Sequence, residues 1–492
     1  MRLTTTNALA ILAPLAAAKD SMTFAVLHFK GNGFLTEGPM DPVVNPGATA
    51  THYHSIMGGS NFGTTIQGDE LLNSDCTTTS IKNDKSNYWV PTLFFQDPKD
   101  STFEKVDLYY MNVYYFFEPT DDTIEPFPPG LKMLSGDSSL RTPPKNGGAK
   151  NLDPNSGPIQ PVQWTCPRQS YSPPSYPTDS DGTMAGMQDP SNEQAGAGFP
   201  LYNCDGTYSP LRQDIHFPSC YNPKVGLDDY KNNMAWPNSV NGKENCPDGY
   251  THLPHIFYEV YWNTPSFKDR WTPDGKTQPF VLSNGDATGY SSHGDFVSGW
   301  DNETLATIIS TCNQGTLGME TCPDIPGGVN EDTTCRIAPA IGKLYSVTES
   351  LTSLPLNCEV TGWGHGSGNT TEETSTSSSE PVISTSPTST AEAESYAASS
   401  VETAEAAAST AAVNINAVAD SSSTTAAAAA VTAAAGTDPN VETVWDVVTV
   451  TSTATVEVEA TPAARIKRRV PNRSHGHLAR HAHAHGSFAG RR

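Results

Sequence analysis

The sequence predicts a mainly β, sandwich-like single domain followed by a tail without a core. Residues 19–366 contain several runs of β-branched and aromatic residues bounded by turn residues, the pattern of short strands. Only one window has helical spacing, and the composition changes abruptly after Trp363 to Ser, Thr and Ala. We therefore predict a β-sandwich with long, irregular, disulfide-bonded loops and a few short helices, ahead of a disordered tail.

The predicted strands follow one another along the first three hundred residues. They are Thr23–Phe29, Tyr88–Gln96, Val106–Phe117, Ile256–Tyr261 and Gln278–Leu282. Residues 109–117 are almost wholly aromatic or apolar, which is typical of a strand buried on both faces. Residues 143–191 carry so much Pro, Gly and Ser that we predict long loops there.

One helix is predicted, over Asn302–Cys312. Leu305, Ile308 and Ile309 recur at helical spacing within it. Asp301 stands where a side-chain oxygen can accept a hydrogen bond from the first helical turn, so we expect it to cap the helix.

The two ends of the chain indicate secretion. Residues 1–18 combine Arg2, a short apolar run and Ala16–Ala18, the parts of a cleavable signal peptide. That run is shorter than the ~20 residues that span a bilayer, and no transmembrane segment is expected. Residues 367–462 are rich in Ser, Thr and Ala, a composition that predicts a disordered, O-glycosylated spacer. We therefore expect an extracellular or cell-wall location, which also favours disulfide bonds.

Charge and cysteine content restrict the function further. The formal net charge of −24 argues against nucleic acid, which requires a basic surface. The nine cysteines predict up to four disulfides and one odd thiol, and no CxxC pair suggests a zinc finger. We expect a structural role for the cysteines and a monomeric protein.

The first candidate site is the pair of histidines His52 and His54. Side chains alternate along a strand, so these two imidazoles would point to the same side. Two imidazoles on one face can hold a divalent transition metal or a polar ligand. The alternative is that both rings form hydrogen bonds within the fold.

The second candidate site lies between residues 284 and 301. His293, Asp286 and Asp295 fall within ten residues on a turning chain, a mixture that suits a metal site or an acid–base pair. The competing interpretation is that the carboxylates tie down turns through hydrogen bonds to backbone amides.

These clusters belong to a longer series of motifs that resembles a family of secreted fungal proteins, the domain of unknown function DUF1996. The motifs are DPVVNPG at 41–47, HYH at 52–54, GGSNF at 58–62, DKSNYWVPTLFF at 84–95, FPPGLKMLSGD at 127–137, HFPSC at 216–220, CPDGY at 246–250 and GDATGYSSHGDFVSGWD at 285–301. The resemblance covers nearly all of residues 19–322 and implies no particular reaction. Its members resemble wall-associated proteins and are sometimes joined to WSC-type carbohydrate-binding modules, which implies a polysaccharide partner by analogy.

The resemblance also bears on the site and the disulfides. The family motifs include the positions of His52, His54 and His293, together with Asp286 and Asp295. Family members commonly carry a cysteine near the mature N-terminus, where residues 25–30 of this chain have none. One disulfide is therefore expected to be missing, in keeping with the odd cysteine count.

Three functions remain open from the sequence. The first is a non-enzymatic wall protein that binds glycan, in which tryptophans stack on sugar rings: Trp89, Trp236, Trp262, Trp271 and Trp300. The second is a polysaccharide-active enzyme, metal-assisted or carboxylate-based. Its metal would be held by His52, His54 and His293, with Asp295 or Asp286 as a further ligand or general base.

The third function is surface copper or zinc binding by the basic C-terminal tail, residues 463–492. Five histidines there could hold a metal, and they are His475, His477, His481, His483 and His485. The same segment contains a basic cluster at 465–469 that resembles a dibasic processing site. A solvated tail without function is the simpler interpretation.

Overall fold

The computed structural model describes residues 21–30, 34–170, 172, 180–183, 194–206 and 210–362. The predicted signal peptide, spacer and His-rich tail lie outside these residues. None of the helices in the described part is long and apolar enough to cross a membrane.

The described chain forms eighteen strands and one α-helix. The strands are β1 (Thr23–His28), β2 (Thr36–Gly38), β3 (His54–Gly58), β4 (Asn87–Pro91), β5 (Leu93–Gln96), β6 (Phe103–Lys105), β7 (Leu108–Phe117), β8 (Lys132–Gly136), β9 (Val162–Thr165), β10 (Leu211–His216), β11 (Cys220–Tyr221), β12 (Met234–Ala235), β13 (Asn238–Val240), β14 (Lys243–Asn245), β15 (Thr251–His252), β16 (His255–Trp262), β17 (Phe280–Leu282) and β18 (His293–Val297). The helix α1 is Asn302–Thr311. Short 3₁₀ turns occur at Glu70–Asn73, Pro154–Ser156, Thr264–Phe267, Met319–Thr321 and Pro355–Asn357.

Two antiparallel five-stranded sheets dominate the fold. Sheet I has the order β1-β7-β16-β10-β9, and sheet II has the order β2-β3-β4-β18-β8. Three small sheets complete the domain: β12-β11-β15, β13-β14 and β17-β5-β6. Strands that are neighbours in the sheets are mostly distant in sequence, so long connections cross the domain and require other contacts to hold them.

The main core lies between the two large sheets. Tyr88 of sheet II packs edge-on against Tyr258 of sheet I at 5.9 Å between ring centroids, and its hydroxyl lies 2.7 Å from that of Tyr115. Gly294 of β18 sits where an added Cβ would meet three side chains of the facing layer at 3.2 Å. The sheets therefore pack closely face to face, and the predicted mainly β sandwich is confirmed.

A layer of loop covers the outer face of sheet II. Met40, Val43 and Phe62 from the segment between β2 and β4 pack with Ile56 and Trp89 of the sheet in a second buried apolar cluster. Phe62 meets Trp89 edge-on at 5.6 Å between ring centroids. Burying such side chains contributes about 2 kcal/mol each, so this layer holds the outer face of the sheet out of water.

Most predicted strands agree with the structure within a few residues, and so does α1. The prediction of one strand over Tyr88–Gln96 is wrong, because the chain leaves sheet II after Pro91 and continues as β5 in a separate small sheet. The Asp301 side chain accepts a hydrogen bond of 2.9 Å from the Thr304 amide, as expected for the N-cap. The prediction of loops throughout 143–191 is wrong in part. Val162–Thr165 forms β9 because Gln163 and Trp164 pair with β10 at the edge of sheet I.

Four disulfides join eight of the nine cysteines, as expected for a secreted domain. The pairs are Cys76–Cys335, Cys166–Cys204, Cys220–Cys246 and Cys312–Cys322. Cys358 is the odd thiol.

Removing the longest-range disulfide should destabilise the domain. Cys76–Cys335 joins residues 259 apart and attaches the C-terminal segment to the layer over sheet II. Its loss in a Cys76→Ala/Cys335→Ala variant is expected to lower the free energy of unfolding by about 4 kcal/mol, because the unfolded chain regains loop entropy. Denaturant unfolding measures this change. The control is Cys358→Ala, which removes the one thiol outside the disulfides and breaks no disulfide. Equal midpoints for the two variants would contradict the prediction.

Candidate metal centre

Sheet II brings His54 and His293 onto one face. His54 pairs with Pro91, and Asp295 pairs with Trp89, in the antiparallel registers of β3, β4 and β18. Continued by two residues, the second register places His293 opposite Pro91 as well. Residues directly opposite one another in a sheet share a face, so the two imidazoles rise from the same side with Pro91 between them.

His52 completes the cluster from the residues that lead into β3. Its ring centroid lies 4.2 Å from that of His54 and 5.0 Å from that of His293. Its Nε2 lies 3.0 Å from the Nε2 of His293. One nitrogen from each of the three rings falls within 4.8 Å of the others. The three residues that the sequence suggested as metal ligands therefore converge.

Burial keeps these imidazoles neutral. The exposed fractions of His52, His54 and His293 are 4%, 0% and 2%. Loss of solvation lowers the pKa of His52 and His54 well below the usual value, and the neighbouring histidines lower both further. Burial lowers the pKa of His293 to about 4. Neutral imidazole is the form that binds a metal, so the cluster is ready for one at neutral pH.

Two of the rings are oriented by hydrogen bonds to their other nitrogen. The Nδ1 of His293 donates to the Ser291 carbonyl at 2.7 Å, which leaves Nε2 as an acceptor that faces the Nε2 of His52. The Nδ1 of His52 lies 3.0 Å from the Thr51 hydroxyl. Metal-binding histidines usually have such a partner on the second nitrogen, because it fixes the tautomer and the ring direction.

His54 differs from the other two. Both of its ring nitrogens are fully buried and form no hydrogen bond with any described residue. The Met40 backbone lies near enough to raise the pKa of His54 slightly against the effect of burial, without meeting hydrogen-bond geometry. A buried, unpartnered imidazole costs stability, so it points to a ligand at this position.

The nitrogen spacing fits a transition metal. Zinc–nitrogen bonds of about 2.0–2.1 Å at near-tetrahedral angles separate two ligand nitrogens by about 3.3 Å. The observed 3.0 Å between Nε2 of His52 and Nε2 of His293 is close to this value and also allows a hydrogen bond between the two rings, while the His54 nitrogen lies within 4.8 Å of both. Three neutral nitrogen ligands are the donor set of a catalytic zinc site that keeps one position open.

Two carboxyl groups, those of Asp41 and Asp295, lie near the histidines on the loop-covered outer face of sheet II. Asp295 follows His293 by two residues on the same face, and neither of its oxygens has a hydrogen-bond partner among the described residues. Burial raises the pKa of Asp295 well above its usual range, and the nearby Asp41 raises it further. Asp41 accepts hydrogen bonds from the amides of Val43 and Val44, both at 3.0 Å.

Asp286 serves a different purpose from Asp295. Its carboxylate accepts four hydrogen bonds, two from Thr288 and two from Ser291, at 2.6–2.9 Å. These bonds organise the turn whose Ser291 carbonyl orients His293. Asp286 thus acts on the cluster indirectly, because it holds Ser291, and Ser291 in turn orients His293.

Some residues at this site have no clear signal in the sequence. Asp41 begins the first quoted motif and Thr51 immediately precedes HYH, but nothing in their spacing identifies their partners. Arg141 is one of several cations in and beside a segment rich in Pro and Gly, with Lys145 and Lys150 close in sequence. Only the fold shows that these side chains neighbour the histidines.

A second group of potential ligands is a different case. Asp122, Cys246 and His252 also lie close together. Cys246 is bonded to Cys220, so its sulfur is not available as a thiolate. His252 instead pairs with Asp122 at 3.2 Å.

Comparison with known families places the chain in one of them. The family model described as a domain of unknown function, DUF1996, matches residues 41–300, which is more than half of the chain and includes all three histidines. No curated protein and no solved structure matches the chain. With this match the resemblance carried by the sequence motifs is confirmed, and the chain belongs to the DUF1996 family.

Proposed function

We propose that this protein is a secreted metal-dependent enzyme whose centre, His52, His54 and His293, binds one divalent transition-metal ion. The observation that supports this most strongly is the convergence of three buried neutral imidazoles, one of which forms no hydrogen bond to the part of the chain that the structure describes. The disulfides are consistent with an extracellular location.

The other histidines of the domain provide the contrast. His28 pairs with Glu320 at 2.7 Å, His252 with Asp122 at 3.2 Å and His255 with Glu118 at 2.8 Å. Each of these rings has a carboxylate partner, the usual arrangement for a structural histidine. His216 contacts another ring, with its Nδ1 3.1 Å from the Nε2 of His255, but His255 also pairs with Glu118. The centre differs because its three histidines face one another with no carboxylate partner among the described residues, which favours a shared ligand over a structural role.

The proposed reaction class is metal-assisted hydrolysis. A metal ion on three neutral nitrogens polarises a carbonyl or phosphoryl oxygen and makes bound water a nucleophile near neutral pH. The chain itself orients the ligands through Thr51 and Ser291. The Asp295 carboxyl lies on the same face, where burial raises its pKa and favours the protonated form that can donate a proton.

Substrate would reach the centre at the rim of sheet II. Thr51 and Asp137 are exposed, and Arg141 is half-buried. A polysaccharide substrate follows from the family analogy. Glycan binding by stacked tryptophans is less favoured, because Trp89, Trp262 and Trp300 are fully buried.

Metal content tests the proposal. The full chain with its five tail histidines replaced by alanine should retain about one equivalent of zinc or copper by elemental analysis after dialysis. A folded, metal-free protein after exposure to both ions would overturn the proposal. If only the chain with the natural tail retains metal, the tail-binding alternative is correct instead.

A further inference from the structure

We propose that Arg141 anchors an oxyanion of the substrate, a carboxylate or phosphate group, at the rim of the three-histidine centre. The inference rests on the proposed function and adds a substrate class to it. An acidic sugar unit or a phosphate ester would present such a group to the centre.

A chain of hydrogen bonds locates Arg141 beside the centre. Its Nη2 donates to the Asn284 carbonyl at 3.0 Å. The Asn284 side-chain amide donates in turn to the Ser291 hydroxyl at 2.9 Å. The carbonyl of that same serine accepts the hydrogen bond from His293. Arg141 is thus held on the turn that orients a proposed metal ligand.

The guanidinium of Arg141 has no acidic partner among the described residues. Its Nη1 donates to the carbonyls of Ser138 and Leu140 at 3.1 and 2.9 Å. With the bond to Asn284, these neutral contacts use three of the five N–H donors of the side chain and leave two. By contrast, Arg212 and Arg270 are each paired with two carboxylates.

An arginine held in this way is suited to a ligand. The three carbonyls fix the planar group without neutralising it, and the two remaining donors match the oxygens of a carboxylate or phosphate. Its fixed position also means that little side-chain entropy is lost when the anion binds.

The charges of the centre favour an anion as well. Three neutral imidazoles balance neither charge of a divalent ion, and Arg141 adds a third positive charge. The carboxyl groups that can oppose these charges are Asp41 and Asp295 on the loop-covered face of sheet II and Asp137 on the rim, whose oxygen accepts bonds from Ser139. After burial and the other two histidines, Arg141 is a further cause of the low pKa of His52, as expected for a nearby cation.

Anion binding and metal content together test the inference. The full chain with alanine in place of the tail histidines is loaded with zinc and titrated calorimetrically with a hexuronic acid and, separately, with inorganic phosphate. At least one anion should bind, and Arg141→Gln should weaken it tenfold or more. Arg141→Lys keeps the positive charge but loses the planar pair of N–H donors, so it should weaken anion binding less than Arg141→Gln does.

The matched control is Arg336→Gln, because Arg336 also donates to a backbone carbonyl but lies outside the centre. It should bind the anion as the parent does. Binding of the hexuronate alone would identify a carboxylate ligand, and binding of phosphate alone a phosphate ligand. No binding to the parent, or equal binding by Arg141→Gln, would overturn the inference. Zinc content, measured on the same samples, reports separately on the proposed function.

Discussion

His54→Ala is expected to lower the affinity of the centre for zinc by about a hundredfold or more. Structural zinc sites gain about 10–16 kcal/mol from four ligands, or roughly 3 kcal/mol per ligand. A factor of ten in affinity corresponds to about 1.4 kcal/mol. Competition with a chromophoric chelator measures the change, in the full chain whose tail histidines are replaced by alanine.

This substitution tests metal binding with little effect on folding, because His54 forms no hydrogen bond to any described residue that the fold would lose. The cost to folding is limited to the small cavity left by the ring, so the metal-free variant should remain folded. His252→Ala is the matched control, since His252 is also buried but pairs with Asp122 away from the centre. That variant should bind zinc like the parent chain. Unchanged affinity in His54→Ala would show that the ring is not a ligand.

The local sequence pattern was sufficient to predict the longest strands and to single out His52 and His54 as one part of the candidate site. Residues 109–117 and 256–261 are apolar runs that became inner strands of sheet I. Both are buried along most of their length, but the prediction of full burial is wrong at the start of the first run, where Tyr109 is 45% exposed. The spacing of His52 and His54 predicted both rings on one side of a strand. The rings do meet, at 4.2 Å between centroids, but only His54 belongs to β3 and His52 lies in the bend before it. These inferences need only neighbouring residues.

The rest depends on contacts between distant segments. β3 and β18 are short and carry His, Ser, Gly and Asp where an apolar run would be expected, so the sequence showed no strand there. His293 reaches His54 only because β18 lies next to β4 in sheet II. The sequence also could not distinguish Asp286, which is fully hydrogen-bonded, from Asp295, which is buried without a partner.

Gly136→Ala is expected to destabilise the domain and impair the centre at the same time. Gly136 is the register partner of His293 in β8, and its φ is +93°. A Cβ there would lie 2.4 Å from the Ser292 carbonyl oxygen and 2.8 Å from the Cα of His293. Backbone strain of about 1–3 kcal/mol adds to this clash, so we expect a loss of about 4 kcal/mol in the free energy of unfolding.

The same clash should displace β18 and thereby reduce zinc affinity, because the displaced backbone carries a proposed ligand. Gly226→Ala separates the two causes. Gly226 has nearly the same φ, +94°, but a Cβ there meets no atom within 4 Å among the described residues. Its loss should therefore be only the strain, about 1 kcal/mol, with zinc affinity unchanged. If the two variants unfold at the same denaturant concentration and bind zinc equally, β18 is not held against β8 as described. If only Gly136→Ala loses both stability and zinc affinity, the position of His293 depends on the close approach of the β8 and β18 backbones at Gly136. The pairing of these two strands in sheet II then determines the geometry of the metal centre.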